Sequence, residues 1–180
     1  MLAEMVEAGC THAIVESTSI GLDLHRLDGC AFDVAVFTNL TSDHLDYHGT
    51  MEHYRASKGR LFAMLDEPVA PKARRVRKTA IVNRDDPAWA FFAQRTQSRV
   101  VTYAVDDAEA DVHVEDLMLW PDGATFALVA DDEPVECSIA LPGSYNVANA
   151  AAAMTVAAAL RLPVEQAAMG LRSEERRVGK

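Results

Sequence analysis

A chain of 180 residues, 49% of them hydrophobic, is long enough for one domain with a sizeable core, and its most apolar stretch, residues 148–160, is mostly alanine and too short to span a bilayer. A formal charge of −10 argues against nucleic acid or an anionic membrane as the main partner, while leaving room for a small anionic substrate held by a few local cations and a metal. The three cysteines, Cys10, Cys30 and Cys137, lie far apart and read as free buried thiols in a reducing compartment; the lack of any Cys-x-x-Cys spacing argues against a zinc site. No positively charged start with an apolar core follows Met1, so no secretory leader is expected.

Residues 1–9 read as the second half of an amphipathic helix stopped by Gly9. Residues 12–15 then form a short apolar run consistent with a strand of a parallel sheet. It ends at Glu16, followed by Ser-Thr-Ser-Ile-Gly-Leu-Asp-Leu-His-Arg-Leu-Asp-Gly at residues 17–29. A carboxylate at a strand's C-terminal edge can face a ligand, although a single Glu is more often a solvated loop residue. Residues 34–37 make a second apolar strand. They break into a polar loop with four titratable side chains, Asp43, His44, Asp46 and His48, within six residues. In open α/β sheets ligands bind where strands end and the chain turns into helices. A hard cation takes oxygen ligands and tolerates one imidazole among them, so a metal site here is reasonable chemistry. The following helix, residues 50–65, places Tyr54, Lys58 and Leu61 on neighbouring turns of one face. Taken alone, Lys58 is an exposed lysine.

The run Thr-Asn-Leu-Thr-Ser-Asp-His-Leu-Asp-Tyr-His-Gly at residues 38–49, with Tyr-Arg-Ala-Ser-Lys-Gly-Arg-Leu-Phe at 54–62, closely resembles the Mur ligases. Within that family it is most similar to the branch that adds the third residue of the peptidoglycan stem peptide. The resemblance covers most of residues 10–165. It implies a Mur-ligase-type central ATPase domain of α/β class, with a mostly parallel sheet, flanking helices and a small antiparallel meander. It also implies the site. Glu16, His44 and Lys58 would position magnesium, with Lys58 carbamylated so that an ammonium becomes a carboxylate, and Asp43 and Asp46 would orient the loop. Thr18 and Arg26 would contact the UDP-sugar peptide. Ile20 and Leu24 depart from the family's His and Gln, and the Gln is a substrate contact.

Residues 68–78 are a Pro-flanked run with five cationic side chains, read as a solvated loop rather than a nucleic-acid patch. Residues 79–83 are a buried strand. Arg-Asp-Asp-Pro at 84–87 turns into a helix over 88–94, with Pro87 well placed at its start. Strands over 99–105, 112–120, 124–130 and 135–141 follow, with tight turns at Pro-Asp-Gly 121–123 and Asp-Asp-Glu-Pro 131–134. Pro-Gly-Ser-Tyr-Asn-Val-Ala-Asn at 142–149 opens a long alanine-rich helix through residue 160, with Ser144 as its expected cap. Asn146 and Asn149 read as turn and capping residues. The resemblance adds a place near the nucleotide, Asn149 on the adenine and Asn146 shaping the site.

Residues 172–180 change composition abruptly and resemble a translated sequencing adapter, so residues 1–171 are taken as the natural part. The implied reaction uses ATP and Mg2+ to join UDP-N-acetylmuramoyl-L-Ala-D-Glu to an amino acid through an acyl phosphate. The parent is expected to be a monomeric enzyme of the bacterial cytoplasm. No Gly-Lys-Ser/Thr phosphate loop occurs in these residues. The resemblance places that loop upstream and an amino-acid-binding domain downstream, so the chain alone is expected to be inactive. Competing readings are another Mur or folylpolyglutamate-type ligase, a metal-dependent phosphohydrolase using the His/Asp loop, and a non-catalytic nucleotide-binding module.

Overall fold

The computed structural model describes residues 2–41, 44–68 and 76–172. The structure is built on one six-stranded sheet whose strands lie side by side in chain order. These are β1 (Val34–Phe37), β2 (Thr79–Asn83), β3 (Arg99–Ala104), β4 (Val112–Trp120), β5 (Gly123–Ala130) and β6 (Glu133–Ile139). The first four are parallel: Val34 faces Thr79, Thr79 faces Arg99, and β4 joins at Tyr103 and Ala104. The last three are antiparallel, with a register shift between Glu115 and Met118. The expected antiparallel meander is present as β4–β6, and it continues the parallel sheet.

Alternation along β2 explains the layering. Ile81 packs on one face with Tyr103, Phe126, Val147 and Ala151, which brings in helix α6 (Ser144–Ala159). Ala80 and Val82 pack on the other with Phe37, Phe62, Leu65 and Phe92. That second face is covered by α4 (Met51–Ala63) and α5 (Trp89–Ala93). A strand buried on both faces reads as a continuous apolar run, as residues 79–83 do.

The remaining helices are α1 (Leu2–Glu7), α2 (Ser19–Asp23), α3 (Leu45–His48) and α7 (Val164–Arg172). Helix α1 ends before Gly9, whose φ of +78° suits a helix stop. Helix α7, which the sequence reading did not anticipate, packs against β6 and α6 and ends at Arg172.

Three expectations are corrected. Residues 12–15 form no strand: Ile14 is fully exposed, and no described strand pairs with the segment. A four-residue apolar run becomes a strand only where a sheet edge accepts its backbone. Ser144 is not a cap; it is the first residue of α6, and Gly143 takes the cap position with φ +94°. Cys137 is buried, as expected, but Cys10 is exposed and Cys30 only half-buried. The basic run is outside the described residues at 69–75, as are Asp43 and residues 173–180. Among the described residues no helix is long and apolar enough to cross a membrane.

Candidate active site

The site forms where β1 ends. Residues 38–40 leave the strand and are held from below by the next loop. The Asn83 side-chain amide donates to the Thr38 carbonyl at 2.8 Å, and the Asp86 carboxylate accepts from the Leu40 N–H at 2.7 Å. The other oxygen of Asp86 accepts from the Ala88 N–H at 2.8 Å, and Asn83 Oδ1 accepts from the Asp85 N–H at 3.1 Å. The Asn-x-Asp-Asp-Pro segment at 83–87 thus fixes the backbone of the strand-end loop.

Lys58 points at this loop. Its ammonium donates to the Asn39 carbonyl at 3.1 Å and sits 5.0 Å from the centre of the Tyr54 ring. That lysine–ring pairing follows from their four-residue spacing on α4. His44 meets the same ring, edge to face, with centroids 6.1 Å apart. Tyr54 is 3% exposed, so it is a buried wall shared by both side chains. His44 itself stands at the start of α3 with a left-handed backbone, φ +55°. Non-glycine residues adopt that conformation only where the surroundings hold it, and they concentrate at functional sites. Lys58 and His44 therefore lie on one face of the sheet, one wall apart. Glu16 is exposed and makes no hydrogen bond or ion pair with any described residue. It lies on the segment that formed no strand, so the described contacts bring together two of the three expected ligands.

Thr18 caps α2, its hydroxyl accepting from the Gly21 N–H at 3.1 Å. Its residue remains exposed, as does Arg26 just beyond the helix. Asn146 donates to the Pro142 carbonyl at 2.8 Å and so closes its own turn, while Asn149 is exposed on the first turns of α6. Because α6 and α4 cover opposite faces of the sheet, no described contact joins either asparagine to Lys58 or His44.

A second cluster was not legible in the sequence. Asp23, at the end of α2, accepts from the Tyr47 hydroxyl at 3.0 Å, the Ser57 hydroxyl at 3.0 Å and the His53 ring at 3.1 Å. The Tyr47 bond, followed by those from Ser57 and His53, holds the Asp23 carboxyl below its ordinary range against the opposing effect of burial. The same bond raises the Tyr47 phenol. His48, 4% exposed, faces the Ser19 hydroxyl through Nε2 at 3.0 Å, and burial lowers its pKa. Asp23 and His53 are 30 residues apart, and no motif marks either, so only the folded chain shows that they meet. The cluster ties α2, α3 and α4 together and so sets where Thr18 and Arg26 stand relative to His44.

The comparisons with known proteins agree with this fold. The family described as the Mur ligase middle domain matches residues 1–157. The UDP-N-acetylmuramoyl-L-alanyl-D-glutamate–2,6-diaminopimelate ligase of Halalkalibacterium halodurans is 44% identical over 164 residues, 91% of this chain and 32% of that protein. The UDP-N-acetylmuramyl-tripeptide synthetase of a Roseiflexus species is 45% identical over 173 residues, 92% of this chain and 33% of that one. A solved UDP-N-acetylmuramoyl-L-alanyl-D-glutamate–2,6-diaminopimelate ligase superposes with a TM-score of 0.82 at 33% identity, over 94% of this chain and 34% of its own. The chain spans about a third of the length of these curated relatives. With its parallel sheet, its strand-end His/Lys loop and these matches, the chain belongs to the Mur ligase family, as a middle domain.

Proposed function

We propose that the full-length protein carrying this chain is an ATP-dependent amide ligase that adds an amino acid to UDP-N-acetylmuramoyl-L-Ala-D-Glu in peptidoglycan synthesis. The observation that carries this reading is that Lys58 and His44 both stand against the Tyr54 ring near the end of β1. It is supported by relatives whose names state that activity. In this reading the substrate carboxylate attacks the γ-phosphate of ATP and becomes an acyl phosphate. The amine of the incoming amino acid then displaces phosphate.

Each residue has a part in that proposal. Arg26, exposed beside α2, binds the anionic donor, and Thr18 keeps a hydroxyl at the same edge. Lys58, half-buried and directed by Asn39 and Tyr54, would give up one proton from its ammonium and a second as the amine adds CO2, ending as an anionic carbamate. With Lys58 a carbamate, one imidazole (His44) and two carboxylate-type groups (Glu16 and the modified Lys58) form a donor set suited to a hard cation. Magnesium bound there would supply charge neutralisation between the phosphate and the substrate carboxylate. Tyr54 and the Asn83–Asp86 loop hold Lys58 in line. Asn149 and Asn146 serve the nucleotide from the start of α6. The enzyme works in the bacterial cytoplasm.

The test is an assay of the full-length protein with ATP, the UDP-muramoyl dipeptide and candidate third residues. Phosphate release that requires both the dipeptide and one amino acid, with a ligated product of the summed mass less water, is the expected result. Phosphate release without any acceptor amine would favour a phosphohydrolase instead.

A further inference from the structure

We propose that Asp23, His48 and His53 form a second cation site, distinct from the His44–Lys58 centre and suited to zinc or another nitrogen-preferring divalent metal. One ring nitrogen from each histidine and one oxygen of Asp23 lie within 4.8 Å of one another. Two imidazoles and one carboxylate, with a position left for water, are a donor set that zinc and its first-row neighbours accept and that magnesium disfavours. The site needs no cysteine, so the missing Cys-x-x-Cys spacing does not bear on it.

The hydrogen bonds around the cluster carry the argument further. The ring of His53 has Nδ1 at 3.0 Å from the His48 carbonyl. A carbonyl only accepts, so Nδ1 carries a hydrogen, and Nε2, at 3.1 Å from the Asp23 carboxylate, meets it through a second hydrogen or through a bound cation. Two electron-rich atoms hold this distance only with a cation between them, either a proton or a metal ion. A backbone carbonyl that holds one imidazole nitrogen as N–H, so that the other can ligate, is the usual support of a metal-bound histidine. Donors bound at about 2.0–2.1 Å around a tetrahedral zinc stand roughly 3.3 Å apart, close to the Asp23–His53 separation.

His48 supplies the second observation. It is 96% buried by its 4% exposure, one nitrogen is engaged by Ser19, and Nδ1 has no hydrogen-bond partner. A buried unpaired nitrogen is costly, and a metal ion bound at that atom would satisfy it. His53, whose side chain is 49% exposed, and Asp23, at 26%, leave the cluster open to entry from solvent. Tyr47 and Ser57 already orient the carboxylate. A metal here would clamp α2, α3 and α4 together and fix the loop that carries His44 without touching the reacting groups.

The experiment uses the full-length protein, stripped with a chelator and titrated with Co2+ in buffer without substrates. Its readout is independent of ligase activity, so it stands or falls apart from the proposed reaction. The expected result is a stoichiometric set of tetrahedral Co2+ absorption bands, displaced by Zn2+. The bands are lost or weakened beyond the about 10–100-fold in affinity typical of a lost supporting partner in both Asp23→Asn and His53→Gln. They are retained in His44→Ala. Addition of Zn2+ to the unaltered protein raises its Tm, which keeps the test decisive where a variant folds poorly. Overturning results are no bands and no Tm rise in the unaltered protein, which makes the His53–Asp23 contact a proton-held ion pair, or bands that survive His53→Gln and vanish in His44→Ala.

Discussion

Replacing Tyr54 with leucine removes the ring against which both Lys58 and His44 stand, and keeps most of the buried volume. A core substitution that changes shape typically costs about 1–3 kcal/mol, so denaturant unfolding of Tyr54→Leu should show a lower midpoint with an unchanged slope. Tyr54→Phe keeps the ring and should leave both stability and turnover close to normal. Equal loss of activity in the two variants would mean that the hydroxyl, not the wall, matters. At this scale spacing and family motif marked His44, Tyr54 and Lys58, which the fold sets around one ring, whereas Glu16, marked by the same resemblance, makes no described contact with them. The sequence was silent on Asp23 and His53, because their meeting depends on α2 docking against α4, a contact between segments 30 residues apart.

The element that matters most is the loop after β1, and its support lies in a different loop. Asp86→Ala strands the Leu40 and Ala88 N–H groups at once. Leaving a partly buried donor unsatisfied costs about 1–3 kcal/mol, and the same change frees the segment whose Asn39 carbonyl directs Lys58. The expected outcome is a lower Tm together with a fall in kcat larger than the rise in KM; a loss of stability with kcat intact would separate the loop from the site. At the hairpin joining β4 to β5, a Cβ added to Gly123 would stand 2.3 Å from the Ile139 carbonyl oxygen, closer than side-chain carbons approach backbone. Gly123→Ala should therefore push β6 away from β5 and destabilise the protein, as read by Tm. The strands from residue 34 onward were legible because apolar runs were long enough and bounded by turns. Residues 12–15 had the same pattern but pair with no described strand, although β1 leaves one edge of the sheet open, and periodicity cannot report whether a run pairs. The capping role of Ser144 failed for a related reason: the chain enters α6 through Gly143 at φ +94°, a backbone state invisible to residue type alone.

Across the whole molecule, acid should loosen the structure in a defined window. Burial, the largest single influence on Asp66, pushes its carboxyl up, but donors from Gln97, Thr96 and Ser98 outweigh it and hold it below its ordinary value of 3.8. These bonds measure 2.7, 2.8 and 2.9 Å and tie the end of the α4 segment to the entrance of β3. A folded pKa below the unfolded one means that the unfolded chain takes up the proton first. The stabilisation is complete above the ordinary value and is lost as pH falls through the lowered folded value. Asp23 adds a contribution of the same sign. Asp66→Asn should therefore show a flatter loss of stability below about pH 4 than the unaltered protein; identical acid curves would remove Asp66 from the account. The central claim, that the strand-end Lys58 and His44 serve an ATP-driven ligation, is tested most directly by one comparison. Full-length protein and its Lys58→Ala variant are assayed side by side for ATP-dependent formation of the UDP-muramoyl tripeptide, with Tm measured on both. Removal of one preorganised group that stabilises developing charge, measured for oxyanion-hole donors, costs about 10²–10³ in kcat. The account predicts a drop of that order at a Tm within a few degrees of the unaltered protein, and a Lys58→Ala enzyme with normal turnover would contradict it.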